Sequence, residues 1–433
     1  MTQWRFMNIL IVAIGSHGDV NPFIKIGIAL RKRGHEVTLL TNSYFKDSVQ
    51  DAGLNFVAVG TIEEYNKMVE EVDLKNPTQT TKVVMRYLYF PSIKRTYESI
   101  KALLIPGETV VVGITMAFGA RMVREKLDVP MITCHLAPVS LPSIVRPARM
   151  DGVWMPYWMP KFYKEILWRL IDKAADLFLG PPINKMLNML ELPPAKSIIR
   201  NWIHSPDKVI GLFPSWFAEP QPDWPKNTEL TNFICFDEAS RNPMPAKLEA
   251  FIGHGEPTVV FTAGTAVKNA ATFFKESVKA CERLNVRGVF LSRYKDPIPN
   301  PLPDTILYCE YAPFSKLLPL SSALVHHGGI GTCAQALSAG IPQLLTPFGM
   351  DQHDNSSRLI KLGVGDEISM KKYKSSIVAK KLGILLADED VHASCKKIAD
   401  KMKNSDPLSH VCQIIEDQVD HGESMQYGHG GAA

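Results

Sequence analysis

The chain has 433 residues, of which 45% are hydrophobic and 21% are charged, and these values are typical of a globular protein with a core of normal size. A single hydrophobic core rarely grows beyond about 250–300 residues, so this length favours two domains. The formal net charge of +4 is small for the length and does not indicate nucleic-acid binding, which usually needs a concentrated basic stripe.

Seven cysteines are scattered through the chain, and no two of them have the CxxC spacing. An odd number without paired spacing argues against a disulfide framework and a structural zinc site, and it favours a reducing compartment. No apolar run reaches the roughly 18 residues of a membrane span, and the N-terminal residues do not resemble a signal peptide. We therefore expect a cytoplasmic protein.

The first half of the chain begins with a predicted βαβ unit. A strand at Asn8–Ile14 is followed by a loop of small residues at Gly15–Asp19, a helix at Pro22–Arg33 and a second strand at Val37–Thr41. A unit of about 35 residues with this order predicts a parallel sheet. Two later apolar runs are predicted to be buried strands of the same sheet. They are Thr109–Ile114 and Val129–His135.

The second half of the chain repeats this alternation of strands and helices, which predicts a doubly wound α/β domain. The predicted strands are Thr258–Thr262, Arg287–Ser292, Thr305–Cys309, Ala323–His326 and Gln343–Thr346. The predicted helices are Ala270–Leu284, Phe314–Leu320, one beginning near Gly331, and His353–Leu362.

Prolines cluster between the two halves, as is typical of an interdomain linker. We predict a Rossmann-like N-terminal domain at 1–220, a linker at 221–245 and a Rossmann-like C-terminal domain at 246–405. A C-terminal helix and a flexible tail are predicted at 406–433. The two domains are expected to face each other across a cleft.

The segment Leu324–Thr332 contains three glycines and two histidines, and it lies where a predicted strand ends and a helix begins. Ligands of open α/β sheets bind at the carboxyl ends of strands. Glycines there let the backbone approach a diphosphate, and the N-terminus of a helix offers free N–H groups. Such a turn on its own also fits a tight connection that binds no ligand.

A second polar pair, Asp351 and Gln352, follows another predicted strand end. A carboxylate beside an amide suits neighbouring sugar hydroxyls, because the carboxylate accepts hydrogen bonds and the amide both donates and accepts them. The alternative for Asp351 is a cap at the N-terminus of the following helix.

These motifs together resemble the donor-binding signature of the UDP-glycosyltransferase superfamily. The pattern is His-His-Gly-Gly-x-Gly-Thr at 326–332, Pro-Gln at 342–343 and Pro-x-x-x-Asp-Gln-x-x-Asn at 347–355. Residues 15–23 resemble the family's N-terminal loop, Gly-Ser-x-Gly-Asp-Val-x-Pro. The likeness is greatest to the bacterial branch with macrolide and sterol glycosyltransferases and rhamnolipid-type rhamnosyltransferases. It implies the GT-B fold, an inverting reaction and no metal or other cofactor.

The resemblance also implies roles for individual residues on the donor side. His327 is expected to contact the donor diphosphate, together with the backbone at Gly329, Gly331 and Thr332. Asp351 and Gln352 are expected to hold the sugar. Gly264 and Thr265 match a further phosphate-contacting loop, and Tyr311 matches a ring that packs on the base. Phe314 and Gln335 depart from the plant branch, so the nucleotide stays open between UDP and dTDP.

The acceptor hydroxyl needs a general base, and the resemblance implies Asp19 for this role. Burial in a closed cleft raises the pKa of a carboxylate and suits it to accept a proton. His17 is a rival base two residues away, and Asp19 is alternatively a helix cap.

The stretch 141–179 is the predicted acceptor side, because it combines bulky apolar residues with lysines and arginines. Trp154 and Trp158 are the candidate acceptor contacts, with His135 as a further candidate that fits a core histidine equally well. Phe162, Ile166, Leu170 and Ala174 fall on one helical stripe. This stripe either packs on its own domain or lies on a membrane surface.

The sequence therefore predicts transfer of a hexose or deoxyhexose from a UDP- or dTDP-sugar to a hydroxyl of a hydrophobic acceptor, such as a lipid, sterol, polyketide or polyphenol. The alternatives are a catalytically silent nucleotide-sugar-binding partner and a sugar-nucleotide epimerase. The expected partners are the donor and the acceptor, without nucleic acid, and with peripheral contact at the inner face of a membrane as an option.

Overall fold

The computed structural model describes residues 6–72, 76–150, 152–153, 155–237, 239, 241–252, 257–265 and 267–426, with side chains as far as residue 418. Its strands are β1 (Asn8–Val12), β2 (Glu36–Asn42), β3 (Asn55–Gly60), β4 (Thr109–Ile114), β5 (Met131–His135), β6 (Lys208–Gly211), β7 (Thr228–Leu230), β8 (Thr258–Thr262), β9 (Arg287–Leu291), β10 (Ile306–Cys309), β11 (Ala323–His326), β12 (Gln343–Leu345) and β13 (Gly365–Glu367).

The helices cover the faces of the sheets. They are α1 (His17–Lys32), α2 (Lys46–Asp51), α3 (Ile62–Glu71), α4 (Pro77–Val84), α5 (Phe90–Leu103), α6 (Phe118–Leu127), α7 (Lys161–Met189), α8 (Ala246–Ile252), α9 (Ala271–Leu284), α10 (Phe314–Leu317), α11 (Ile330–Ala339), α12 (Gln352–Lys361), α13 (Ser375–Ala387), α14 (Glu389–Lys403) and α15 (Pro407–Gln426). A π-helical segment, Met85–Tyr89, joins α4 to α5.

Two parallel sheets organise the molecule, as the alternating sequence pattern predicts. The first has the order β3-β2-β1-β4-β5-β6-β7, and the second has the order β10-β9-β8-β11-β12-β13. Strands buried on both faces need continuous apolar sequence, and β1, β4, β5 and β8 are entirely buried. The predicted fold class, α/β with two Rossmann-like units, is confirmed.

Each sheet reverses its strand order at one point, and these switch points determine where a ligand site forms. The first sheet reverses between β1 and β4, and the second reverses between β8 and β11. The loops after β1 and β11 therefore lie at the positions where open α/β sheets leave a crevice. These loops contain residues 13–16 and 327–329.

Helix α1 begins at His17, five residues before the start expected from Pro22. A capping box causes the earlier start, because Ser16 and Asp19 exchange hydrogen bonds across the first turn. Pro22 lies inside the helix. Its φ is compatible with a helix, and its missing N–H leaves the carbonyl oxygen of Gly18 without the usual partner.

The apolar stripe predicted at Phe162–Ala174 lies on helix α7. The sequence left two alternatives for it, packing on its own domain or contact with a membrane surface. Trp168 and Leu179 are buried on the inner side, while Phe162 and Leu170 are 66% and 59% exposed. The apolar stripe thus does not pack on its own domain. Among the described residues, no helix is both long and apolar enough to cross a membrane.

Two features tie the halves of the chain together. A buried cluster combines Phe213 and Phe233 of the first half with Leu337 and Leu359 of the second. Helix α15 returns to the first domain, where its apolar residues join the core around β1.

Candidate active site

A cleft of about 350 Å³ lies between the two sheets, and both switch-point loops line it. This volume is within the roughly 300–1,000 Å³ of small-molecule sites. The cleft brings together the N-terminal loop and the C-terminal glycine-rich turn, which are more than 300 positions apart in the sequence. The predicted site residues that line it are His17, Asp19, Gly264, Thr265, Tyr311, His327, Gly329, Gly331, Thr332, Asp351 and Gln352.

Asp19 lies in the first turn of α1, where one of its carboxylate oxygens caps the helix. Its Oδ2 accepts hydrogen bonds from the Ser16 backbone N–H at 2.7 Å and from the Ser16 hydroxyl at 3.0 Å. Among the described residues none donates to Oδ1, so the other oxygen is available to the cleft. Burial raises the pKa of Asp19, although the two bonds from Ser16 act in the opposite direction. The first turn of α1 therefore uses Oδ2 alone, and Oδ1 is not used in capping.

Gly15 makes room for this carboxylate. Its φ of +144° is unfavourable for other residues, and a Cβ at this position would lie 2.3 Å from Asp19 Oδ2. The glycine is required both for the backbone conformation and for the close approach of the carboxylate. The loop that ends β1 thus fixes the position of Asp19.

His17 is held by a cation from the opposite domain. Arg293, just beyond β9, lies with Nη2 2.7 Å from His17 Nε2. Because a guanidinium only donates, Nε2 accepts and the proton of His17 is on Nδ1. Burial, with a further contribution from the Arg293 charge, lowers the pKa of His17 to about 3. The lone pair that a base would need is already occupied by Arg293.

Arg293 has no ion-pair partner in the described part of the chain, although it lines the cleft. Its guanidinium lies 5.6 Å from the ring centre of Tyr44, and burial lowers its pKa. The arginine was not singled out from the sequence. One sequence feature could have pointed to Arg293. It follows directly after a predicted strand of the second sheet, at the edge where the predicted donor residues also lie.

The two adjacent histidines of the turn have different surroundings. His326 is fully buried in β11, where its Nδ1 accepts from the Gly328 N–H and its Nε2 donates to Gln343 Oε1 at 3.0 Å. His327 lines the cleft, and its buried Nδ1 has no partner among the described residues. Burial lowers its pKa to about 4, so the ring is neutral at physiological pH. His326 supports the turn, while His327 is available to a ligand.

Glycines surround the ring of His327. A Cβ on Gly329 would lie 2.5 Å from His327 Nε2, and one on Gly264, whose φ is +103°, would lie 3.0 Å from the ring. On the other side of the turn, a Cβ on Gly331 would lie 3.6 Å from the Cα of Gly18. The first turns of α1 and α11 therefore meet across the cleft with little more than van der Waals space between them.

Asp351 lies at the N-terminus of α12, but its side chain does not cap that helix. Its Oδ2 accepts from Asn355 Nδ2 at 2.7 Å and from the Ile330 N–H at 3.3 Å, which connects α12 to the start of α11. Burial raises its pKa to about 6, with a smaller contribution from the charge of Asp19. The two carboxylates are therefore close enough to influence each other across the cleft.

Gln352 is buried, and its Oε1 accepts a hydrogen bond from the Phe348 N–H at 2.9 Å. This bond leaves the amide nitrogen as the group that the side chain offers to the cleft. Asp351 thus supplies an acceptor and Gln352 a donor beside it. Phe314 and Gln335, the departures from the plant pattern, also line the cleft.

An apolar wall closes the cleft on the N-terminal side near Asp19. Met68 and Val72 come from the end of α3, Val84 from the end of α4, and Leu88 and Tyr89 from the π-helical segment. Sequence reasoning missed this wall, because its residues are dispersed over two helices and a π turn. None of the described residues between 141 and 179 lines the cleft.

The three predicted acceptor contacts have different outcomes. His135 is fully buried behind the cleft, where its Nδ1 lies 2.9 Å from the Thr115 hydroxyl and its Nε2 lies 2.9 Å from His204 Nδ1. This matches the core-histidine alternative. Trp158 is 65% exposed and lies away from the cleft lining. Trp154 is outside the described residues.

Comparison with known families assigns both halves of the chain. Residues 9–145 match the glycosyltransferase family 28 N-terminal domain. Residues 289–417 match the C-terminal domain of erythromycin biosynthesis protein CIII-like proteins. The two matches together span more than half of the chain. The protein is a glycosyltransferase.

Curated relatives of this glycosyltransferase are similar along nearly its whole length. The O-mycaminosyltylonolide 6-deoxyallosyltransferase of Streptomyces fradiae is 24% identical over 95% of this chain and 97% of its own. A sterol 3-beta-glucosyltransferase of Debaryomyces hansenii is 25% identical over 96% of this chain, which spans only 27% of that larger protein. An Arabidopsis thaliana sterol 3-beta-glucosyltransferase is 25% identical, with 64% of its length covered.

Solved structures show the same fold. The glycotransferase of kitacinnamycin superposes with a TM-score of 0.71 at 18% identity, over 96% of this chain and all of the other. The glycosyltransferase VinC, in complex with DTDP, superposes with a TM-score of 0.68 at 17% identity and with the same coverage. These likenesses confirm the GT-B fold of this glycosyltransferase.

Proposed function

We propose that the protein transfers a hexose or deoxyhexose from a UDP- or dTDP-sugar to a hydroxyl group of a hydrophobic acceptor, with inversion at the anomeric carbon. The observation that carries this proposal is the juxtaposition in one cleft of Asp19 and His327 from opposite domains. A base and a diphosphate-binding group on two sides of one space are what a single displacement needs.

Asp19 is the proposed general base. Its free Oδ1 accepts the proton of the acceptor hydroxyl while the hydroxyl oxygen attacks the anomeric carbon from the side opposite the diphosphate. The raised pKa of Asp19 makes the carboxylate a stronger base than an exposed aspartate. His17 is excluded from this role in the proposal, since its Nε2 accepts from Arg293.

The donor diphosphate leaves as the new glycosidic bond forms, and it carries the increasing negative charge. The proposal assigns its stabilisation to the ring of His327, to the N–H groups at the start of α11, and to Arg293. Gly264 and Thr265 approach the same place from β8. Arg293 supplies a full positive charge and the other groups supply neutral hydrogen-bond donors, so the proposal needs no metal ion.

The Asp-x-Asp sequence at 388–390 is the pattern that metal-dependent glycosyltransferases use, but here it forms a helix cap. Asp388 Oδ1 accepts from the N–H groups of Asp390 and Val391 at the start of α14. This carboxylate is therefore engaged by its own backbone, and it is not part of the cleft lining. The proposal accordingly assigns no metal to the reaction.

The sugar of the donor is proposed to bind Asp351 and Gln352, with an acceptor oxygen from one and an amide donor from the other. Tyr311 is proposed to pack against the base of the nucleotide, which is UDP or dTDP. The apolar wall beside Asp19 supports a hydrophobic acceptor, and the names of the macrolide and sterol relatives agree with this class. The proposal includes a cytoplasmic location and peripheral contact with a membrane.

The test is turnover with a panel of UDP- and dTDP-sugars and lipid, sterol, macrolide and polyphenol acceptors. We expect one glycosylated acceptor per nucleoside diphosphate released, with inverted anomeric configuration by NMR. An epimerised nucleotide sugar without acceptor modification would instead establish the epimerase alternative. Donor binding by calorimetry without any turnover across the panel would establish the silent binding partner.

A further inference from the structure

An exposed apolar surface covers the outer side of α7, away from the cleft. We define the outer face of α7 as Phe162, Tyr163, Ile166, Leu170 and Leu177, which fall on one side of the helix, with two turns between Leu170 and Leu177. Their exposed fractions run from 38% at Ile166 to 71% at Leu177. Single exposed apolar residues are common, but five large ones on the same side of one helix indicate a surface that is covered in use.

Two aromatic residues extend this surface at the N-terminal end of the helix. Tyr157 and Trp158 are 79% and 65% exposed. Lys164 is buried, and its Nζ donates to the Tyr157 carbonyl oxygen at 2.6 Å, which fixes the preceding loop to the first turn of α7. Tyrosine and tryptophan are enriched where apolar and aqueous phases meet.

Basic residues accompany the outer face. Arg169 and Lys173 are exposed, and neither has an ion-pair partner among the described residues. The acidic residues of the same helix are largely engaged elsewhere, because Asp172 pairs with Arg200 and Asp176 accepts from backbone N–H groups. The remaining acid, Glu165, faces Lys161 at 3.9 Å. The exposed charge beside the apolar row is therefore positive.

We propose that the outer face of α7 docks the protein on an anionic lipid surface. A row of aliphatic and aromatic residues enters the boundary between headgroups and acyl chains, while Arg169 and Lys173 contact lipid phosphates. An apolar face alone fits a second copy of the chain equally well. The unpaired positive charge beside it and the exposed Tyr157 and Trp158 favour lipid.

The docking face is connected to the proposed acceptor site by direct packing. Phe178 of α7 contacts Phe90 at the start of α5, with ring centres 5.9 Å apart. Helix α5 continues from the π-helical segment whose Leu88 and Tyr89 line the apolar wall. The outer face of α7 thus packs, through Phe178, on the helix that continues from the apolar wall of the proposed acceptor site. The supply of a membrane-dissolved acceptor rests on the proposed function, whereas lipid docking itself does not.

The experiment is flotation of the full chain with two kinds of vesicle, phosphatidylcholine alone and phosphatidylcholine mixed with phosphatidylglycerol. We expect binding to the mixed vesicles that weakens as salt is raised, because screening reduces surface electrostatics. Phe162→Ser with Leu170→Ser should weaken binding at least about tenfold, since two large side chains lose their apolar burial. Arg169→Gln and Lys173→Gln should each weaken it about fivefold, and only on mixed vesicles.

Ile384→Ser is the matched control, because Ile384 is an aliphatic residue 55% exposed on α13 of the other domain. It should leave flotation unchanged, and circular dichroism should show equal melting temperatures for all variants. Flotation that is absent in the wild type, or equal in all variants, would overturn the proposal. So would a concentration-dependent dimer that Phe162→Ser with Leu170→Ser abolishes, since the face would then belong to a second copy.

Transfer to a detergent-dissolved acceptor separates the two proposals. The α7 variants should keep wild-type turnover under these conditions, because the outer face lies away from the cleft. If the wild type floats with vesicles but transfers no sugar to any acceptor, the proposed function fails and lipid docking stands.

Discussion

The two turns that form the cleft have the same local construction and opposite chemistry. Each follows a central parallel strand, passes through glycines and enters a helix. The turn after β1 holds a carboxylate, Asp19, against its own backbone N–H and hydroxyl groups at Ser16. The turn after β11 holds a neutral histidine, His327, beside the free N–H groups of α11. In the proposed reaction, one strand–turn–helix design supplies a proton acceptor in one domain and an anion site in the other.

The largest expected effect comes from removing the charge of Asp19, which tests whether the two turns have different roles. Asp19→Asn keeps the shape of the first turn but removes the proton acceptor, so kcat should fall by about 10²–10⁴-fold. Affinity for UDP or dTDP, measured by calorimetry, should stay near the wild-type value, because the second turn is intact. Near-normal turnover in this variant would remove Asp19 from the mechanism.

His17→Gln is the comparison variant for this prediction. Glutamine still offers an oxygen to Arg293, so kcat should fall by no more than about tenfold. A loss as large as that of Asp19→Asn would return His17 to the list of candidate bases.

The second prediction concerns the glycine that makes room for Asp19. Gly15→Ala places a Cβ where the Asp19 carboxylate lies and imposes a φ of +144° on alanine. We expect kcat to fall about a hundredfold or more, as for Asp19→Asn. The free energy of unfolding should fall by about 1–3 kcal/mol. Activity assays and chemical denaturation measure the two effects.

Gly34→Ala is the control for Gly15→Ala, because Gly34 has a φ of +96° and no atom within 4 Å of the added Cβ. It should lose stability without loss of kcat in the folded protein. Equal kcat losses in both variants would show that backbone strain, and not displacement of Asp19, is responsible.

The third prediction concerns the second turn. Gly329→Ala forces a Cβ to within 2.5 Å of His327 Nε2, so the ring must move. Donor affinity should fall roughly ten- to a hundredfold, the value of one hydrogen bond to a charged group. His327→Ala should have a similar effect, and isothermal titration with UDP and dTDP measures both. If neither substitution changes donor affinity, His327 does not contact the diphosphate.

The smallest expected effect is on the pH dependence. Because burial raises the pKa of Asp351 to about 6, this carboxyl becomes protonated at a higher pH than an exposed aspartate. Protonation removes the acceptor proposed for the sugar hydroxyl, so kcat/KM should fall as the pH drops through about 6. The raised folded-state pKa also means that ionisation of Asp351 disfavours the folded state above this pH.

Asp351→Asn checks this assignment. The variant should lose affinity for the donor sugar, lose the acid limb near pH 6, and melt at a higher temperature than the wild type above that pH. A pH–rate profile with the same limb in wild type and variant would assign the limb to another group.

Sequence reasoning reached the fold and the residues that line the C-terminal side of the cleft, because both depend on local patterns. Strands such as Thr109–Ile114 and Thr258–Thr262 are continuous apolar runs, and their bounds agree with β4 and β8. The turn at His327 follows a strand and opens a helix within a few residues. In contrast, the start of α1 was misplaced, because Pro22 is a strong helix-start signal and the capping box at Ser16 is a weaker one.

The apolar wall that is proposed to hold the acceptor was not found from the sequence, because it is built from dispersed residues. Met68, Val84 and Leu88 belong to three segments, and only the packed domain brings them beside Asp19. The acceptor side was predicted at the aromatic stretch near Trp158, because its bulky residues are close together in the sequence. The structure places the described part of that cluster on an outer surface instead.

Helix α15 has a consequence for how the chain reaches its final form during synthesis. Glu416 is buried between Arg33 and His35, with oxygen–nitrogen distances of 2.7 and 2.9 Å, and Val411 and Ile415 complete the core under β1 and β4. The last strand of the first sheet ends at Leu230, so a ribosome releases the first domain 181 residues before Val411 is made. The core residues and the Arg33 and His35 side chains that α15 covers therefore lack this cover until the last helix is made, and exposed apolar surface of this kind favours aggregation during folding.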